Sequence, residues 1–391
     1  MQLNRNSLRV IALGAASLPL VLHAAEGSKI SFKQTHYKEA DGRIGVDYSL
    51  LDIKKEFGAD YTVDVGLSYD TISGGTPIWV DTVSGASGKA LPDGRIAVGE
   101  FLEEGGSFTK DAFQYQKIQV EDRRRAITTS VTRRTPDRDE ITLGASYSTE
   151  SDFTSREGSL SYLYNLDASR NQSITVGVSY QSNSAYHLMY DEWRDFHVLN
   201  TQIGYTHTLN KTTVGQVNYF QIHQSGDLSN PYQTIIRLSS MDGLYWRAVE
   251  QRPNERSASG ISASLASKIL DNTALQGEYR YYNDDWGIES NTLGITTHTT
   301  LDEVWVVSPM VRYYTQSQAG FYKSHESGEV FDDSENGSAD ERLGGFHGWT
   351  YGLGVERKLG EAVSLNLHAA SQRQSNGLKM TWLSLGLDYN F

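Results

Sequence analysis

Lys379-Met380-Thr381-Trp382-Leu383-Ser384-Leu385-Gly386-Leu387-Asp388-Tyr389-Asn390-Phe391, the last thirteen residues, decide how the rest of the chain is read. From Leu383 onward every second residue is apolar, and the residues between are Ser384, Gly386, Asp388 and Asn390. A period of two over this length makes a β-strand with one apolar and one polar face. The apolar face ends on Tyr389 and Phe391, with nothing after them in the sequence.

The same grammar recurs upstream. Residues 28–38 and 43–57 flank the turn-like Glu39-Ala40-Asp41-Gly42, and Gly58-Ala59-Asp60 leads into 61–71. There Tyr61, Val63, Val65, Leu67 and Tyr69 alternate with Thr62, Asp64, Gly66, Ser68 and Asp70. Further strands are predicted at 116–134, 140–153, 158–166, 174–180, 196–209, 213–224, 257–270 and 274–286. The series continues at 301–315, 319–327, 347–359, 363–373 and 379–391, with a short turn expected at Gln316-Ser317-Gln318. Ile72 to Tyr115, Ser225 to Arg256 and Gly328 to Gly345 show no sustained alternation and are expected to be long loops.

That makes sixteen strands, with short turns at one end and loops of unequal length at the other. An even count with this asymmetry predicts an all-β fold: a transmembrane, up-and-down antiparallel barrel with periplasmic turns and extracellular loops. A mature chain of about 366 residues leaves ~23 per strand and connection, room for the ~10 that cross the bilayer. Residues 379–391 then close the barrel against 28–38, and the terminal Phe391 with Tyr389 resembles the assembly signal of bacterial outer-membrane barrels. The alternative, a soluble sandwich or propeller, does not predict a terminal aromatic or a two-ended split in loop length.

Composition agrees. The chain of 391 residues is only 38% hydrophobic, with 36 Gly, 23 Tyr, 7 Pro and no Cys. Beyond the amino terminus no run approaches the ~20 apolar residues of a membrane helix, whereas a barrel with a wet interior needs apolar residues only at alternate positions. The absence of Cys excludes thiolate chemistry and Cys-ligated metals. Arg5 and Arg9 precede an apolar stretch from Val10 to Leu22 and then His23-Ala24-Ala25, the pattern of a cleaved signal peptide over 1–25. A single barrel domain over 26–391 follows, with the long loop at 72–115. Cleavage leaves 33 basic side chains, 35 less two, against 48 acidic ones, a charge of −15 that argues against nucleic acid. The expected surroundings are outer-membrane lipid and the barrel-assembly machinery.

A short duplication stands out: Asp70-Thr71-Ile72-Ser73-Gly74-Gly75-Thr76 is followed by Asp81-Thr82-Val83-Ser84-Gly85-Ala86-Ser87. With Leu51 to Phe57 (LDIKKEF) and Ser308 to Tyr314 (SPMVRYY), these segments resemble a family of Gram-negative outer-membrane barrels known as a domain of unknown function. That resemblance implies the location and fold over nearly the whole mature chain, and no activity. The heptapeptides also resemble the Asp-x-x-Ser-Gly-Ala-Thr motif at which flavin transferases esterify FMN. It implies covalent FMN on Ser87 or, with Asp70 in place of Asp81, on Thr76, and as partners a flavin transferase or periplasmic redox proteins. The second copy ends in Ser and the first has Gly75 in place of Ala; two Ser-Gly turns at a strand rim are the plainer reading.

Two other motifs are incomplete. Arg373-Gln374-Ser375-Asn376-Gly377 resembles a segment of outer-membrane phospholipases, but Arg373 stands where a His base is required. Asp332, Ser334, Asn336, Gly337 and Asp340 begin like a calcium loop, yet the twelfth position is Leu343 in place of Glu. A solvated acidic loop is expected there. No catalytic group or metal site is assigned; a surface enzyme stays among the alternatives.

What remains is the lumen. Alternation turns Asp64, Glu278, Arg280 and Arg312 inward, where opposed charges set a transverse field selecting small polar solutes; a Glu278–Arg280 salt-bridge network holding a plug is the alternative. The 72–115 segment is either an inward constriction or a surface loop. The functional expectation is therefore a porin-like channel or solute-binding barrel, against a flavin-bearing redox protein or a surface adhesin or scaffold.

Overall fold

The computed structural model describes residues 27–81, 89–90, 96–97, 113–187, 190–241, 243 and 245–391. The segment read as a signal peptide and the proposed acceptor Ser87 lie outside them. In chain order the strands are β1 (Lys29–Glu39), β2 (Gly45–Phe57), β3 (Tyr61–Asp81), β4 (Lys89–Ala90), β5 (Ile96–Ala97), β6 (Phe113–Arg134) and β7 (Glu140–Thr149). Then come β8 (Phe153–Asn165), β9 (Gln172–His187), β10 (Glu192–Asn210), β11 (Thr213–Gly226), β12 (Thr234–Leu238), β13 (Tyr245–Val249) and β14 (Glu255–Leu270). The last are β15 (Thr273–Asp284), β16 (Glu289–Thr300), β17 (Trp305–Gln316), β18 (Phe331–Asp332), β19 (Phe346–Lys358), β20 (Val363–Gln374) and β21 (Lys379–Asn390).

Sixteen of these form one closed barrel in the order β1-β2-β3-β6-β7-β8-β9-β10-β11-β14-β15-β16-β17-β19-β20-β21. Closure is made by β21 against β1 in an unbroken register from Lys29 opposite Asn390 to Glu39 opposite Met380. Phe391 adds a further backbone bond to the Ser28 carbonyl at 2.9 Å. Every ladder of the barrel is antiparallel, so neighbours need only hairpin connections. At the short-turn end Gly58 (φ +61°) supplies the left-handed residue that reverses β2 into β3.

The alternation sorts side chains as the sequence requires. Leu383, Leu385, Leu387, Tyr389 and Phe391 are all about half exposed on the outer wall, while Ser384 between them is buried. An inverted surface of this kind is stable where lipid replaces water, because exposed apolar groups then cost nothing and every backbone polar group is paired around the ring.

Three expectations need correction. Residues 289–300 are a full strand, β16, absent from the sequence reading, whereas 319–327 is not a strand. The total of sixteen came from one omission and one addition that cancelled. The physical reason is visible: β16 presents only Leu293 and Ile295 to lipid before its outward residues become Thr297 and Thr299. Ala319, Phe321 and Tyr322 owe their apolar character to packing against Trp286 and Leu343. The Gln316–Gln318 turn accordingly opens the long loop 317–345. Finally, β3 runs ten residues past the predicted end at 71 and stays paired with β6 up to Asp81 opposite Phe113. The connecting segment is therefore 82–112, not 72–115.

Candidate functional site in the barrel lumen

Inner faces of the strands enclose a cavity of about 970 Å3 reaching from Asp64, near the short turns, to Arg342 at the long-loop end. Its acidic groups include Asp52 on β2, Asp64 on β3 and Glu157 on β8; its basic groups include Arg256 on β14, Arg280 on β15 and Arg312 on β17. In the closed order of sixteen, β3 is third and β15 eleventh, half a circuit apart. These six charges thus sort by sign to opposite walls, the arrangement that sets a field across a lumen, with Glu278 on β15 as an acid on the basic side.

Individual partners differ. Arg256 is tied to Asp284 through Nε at 2.8 Å and a terminal nitrogen at 2.5 Å. Arg280 lies 4.7 Å above the Phe220 ring, a cation–π contact that fixes the guanidinium without using its N–H donors. Glu278 shares the inward face of β15 and leans over Gly294: a Cβ there would sit 2.5 Å from its Oε1. Among the described residues no ion pair joins Glu278 to Arg280, so the salt-bridge network expected as an alternative is not formed. Arg312 is level with Gly294 across the β16–β17 ladder, and its buried Nε has no hydrogen-bond partner among the described residues.

The long-loop mouth is covered by a cap that the sequence reading missed. Loop 227–254 carries the hairpin β12–β13, and loop 317–345 adds β18 alongside β12 in a three-stranded sheet. The sequence held a signal for it: the β-branched run Thr234-Ile235-Ile236 followed by Asp242-Gly243 is hairpin grammar. Ile235, Ala248, Phe331 and Ala339 form its core, with Trp79 of β3 and Trp246 packed against it. Arg252 binds the two loops together: its Nε lies 2.5 Å from Glu250 Oε1, and a terminal nitrogen donates to Asp340 Oδ2 at 3.0 Å. All three side chains are buried. Burial pushes the Glu250 carboxyl up despite the Arg252 charge. Asp340 feels burial too, but the Arg342 and Arg252 charges and the Arg342 backbone N–H outweigh it and hold the carboxyl low. The cap is pinned to the rim by Arg43, which donates to Glu341 at 2.7 Å and to Glu39 at 3.3 Å.

Other sequence candidates fall elsewhere. Asp70 is buried in the β3–β6 ladder, 2.7 Å from Arg124, and Thr76 is backbone-paired with Ile118, so the first heptapeptide is part of a strand. Asp81 is the last residue of β3. Arg373 and Gln374 end β20, and Ser375 to Leu378 form the turn to β21. The calcium-like loop is woven into the cap: Gly337 exchanges backbone bonds with Gln251 and Asp340 holds Arg252. It is not the solvated acidic loop expected. The described residues of Ile72 to Tyr115 lie in β3, β4, β5 and β6. Among the described residues, Asp122, Glu150 and Asp152 place three buried carboxylate oxygens within 4.8 Å of one another, the oxygen-rich setting of a hard cation. Tyr389 and Phe391 stack with ring centres 5.8 Å apart, and Lys55 Nζ sits 4.5 Å over the Phe391 ring.

A family model described as a protein of unknown function, DUF3570, matches residues 7–191 and 184–384. The chain belongs to that family. The DUF3570 chain matches no curated protein. Among solved structures it is similar to a bacterial polysaccharide outer membrane secretin, at 8% identity and TM-score 0.51, covering 94% of this chain and 99% of that one. The CymD monoaromatic hydrocarbon channel follows at 10% identity and TM-score 0.45, covering 97% and 93%. The siderophore receptor PirA from Pseudomonas aeruginosa gives 9% identity and TM-score 0.44 over 90% of this chain. The DUF3570 chain spans only 56% of PirA's length. At such identities the likeness is one of fold: an outer-membrane type of barrel.

Proposed function

We propose that the protein is a gated channel of the bacterial outer membrane that binds and passes a small polar solute. The observation that carries this reading is the continuous, charge-lined cavity of about 970 Å3 beneath the cap. Apolar packing or a full set of salt bridges would be enough to hold a purely structural barrel. Here charged and amide side chains instead face open volume, and the cover is two loops joined by a small buried ion cluster that a modest free-energy change can release. The signal-like sequence at 1–25 supports export to that location.

Planar-bilayer recording tests the reading. The intact protein is expected to be closed for most of the record, and a variant with 317–345 replaced by a short turn to give stepwise conductance. If the shortened variant inserts as a folded barrel and stays silent, with no solute leak from liposomes, the channel reading fails.

A further inference from the structure

Resting on the lumen as the solute's path, we infer that the solute is a small oxyanion, held by Arg280 and Arg312. Most arginines placed around this lumen and its mouth have a carboxylate: Arg43 has Glu39 and Glu341, Arg124 has Asp70, Arg134 has Glu140, Arg252 has Glu250 and Asp340, and Arg256 has Asp284. Arg280 and Arg312 have none among the described residues, and both face the cavity. A guanidinium brought into a low-dielectric wall without a counter-ion is costly unless a ligand supplies the charge.

The local geometry favours a ligand over a missing internal partner. Arg280 and Arg312 stand on β15 and β17 with β16 between them, and the residue level with Arg312 on that intervening strand is Gly294. Gly294 thus adds no side chain of its own beside Arg312, and the space over it is taken by the Glu278 side chain. Phe220, which lines the same cavity, braces Arg280 from beside it, and the Nε of Arg312 is a buried donor without a partner among the described residues. Tyr314, two residues along the same face of β17, lines the same cavity. Arg342 faces the cavity from the cap, its carbonyl held by Gln316 at 2.9 Å. Guanidinium forks that line one cavity can match the oxygens of a carboxylate or phosphate, which accept paired N–H bonds. Glu278, leaning over Gly294, weakens the positive field without occupying the donors, so it tunes affinity downward and lets the anion leave again, as passage requires.

The test uses the full barrel refolded in detergent at low salt, with inorganic phosphate as the probe and phosphorus NMR line broadening as the readout. Saturable binding is expected. The double variant Arg280→Gln/Arg312→Gln should weaken it roughly tenfold or more, the Arg280→Lys/Arg312→Lys pair should weaken it less, and Glu278→Gln should tighten it. Lys268→Gln, an exposed residue near the short turns, should change nothing. Retention of the folded, heat-modifiable gel band verifies each variant. Absence of saturable binding to the intact barrel, or equal binding by the double Gln variant, overturns the inference. Reversal potentials across a salt gradient separate the two readings. Conductance without phosphate binding sinks the oxyanion site alone, whereas arginine-dependent binding without conductance upholds the site and removes the channel.

Discussion

Arg252, just after β13, and Asp340, near the end of the loop after β17, meet at 3.0 Å with both side chains buried. Two loops far apart in sequence are thereby made into one cover. Removing one partner leaves an uncompensated buried charge, which costs about 3–5 kcal/mol. Arg252→Ala is expected to leave the barrel intact but release the cap. Limited proteolysis should cut within 227–254 and 317–345 in the variant and spare them in the parent; equal resistance would contradict the role.

The same cluster dictates a pH profile. The Glu250 carboxyl is raised by burial, so its contribution is complete below the usual glutamate value and is lost as pH rises through its folded value. The Asp340 carboxyl is lowered, so its contribution is present above the usual aspartate value and is lost as pH falls through its folded value. Cap protection against hydrogen exchange should therefore peak in weak acid and decline on both sides. Glu250→Gln should abolish the alkaline decline and keep the acid one.

Gly74 is the first residue of β3 beyond its pairing with β2, which ends at Gly45 opposite Ser73. Its φ is +121°, and an added Cβ would fall 2.1 Å from the Arg43 carbonyl oxygen. Gly74→Ala is expected to destabilise by about 1–3 kcal/mol, seen as a lower midpoint in urea unfolding. An unchanged midpoint would mean the backbone yields there at no cost.

Phe391 completes the outer face of the closing strand and lies under Lys55. Deleting it should leave export unaffected and lower the amount recovered in the outer-membrane fraction. Full recovery would refute a role in assembly.

The fold was legible where the contrast between two solvents acted alone. Leu383 to Phe391 alternate because lipid lies on one side and water on the other, and nothing else constrains them. β16 escaped because threonine satisfies either side, so its lower half carries no period. Residues 319–327 misled for the converse reason, since their aromatic groups serve the cap interior. Asp64, Arg280 and Arg312 were readable as inward by parity. Glu250, Arg252 and Asp340 were not, because pairing across loops depends on tertiary contact that no local pattern records. Parity likewise could not tell that Arg256 is paired with an acid and that Arg280 has no ion pair among the described residues.

The β3–β6 hairpin bears on more than wall-building. β3 has 21 residues, and a tilted strand crosses a bilayer with about ten, so roughly half its length stands clear of the lipid. The Trp79 carbonyl accepts from Thr234 of β12 at 2.7 Å, and Phe113 packs with Ile236. The cover is thus slung from a mast that, in the proposed outer-membrane orientation, reaches further from the cell than the lumen beneath it. Whatever grips that mast from outside, be it an antibody, a phage fibre or a neighbouring molecule, pulls on the support of the lid without ever entering the hole beneath it.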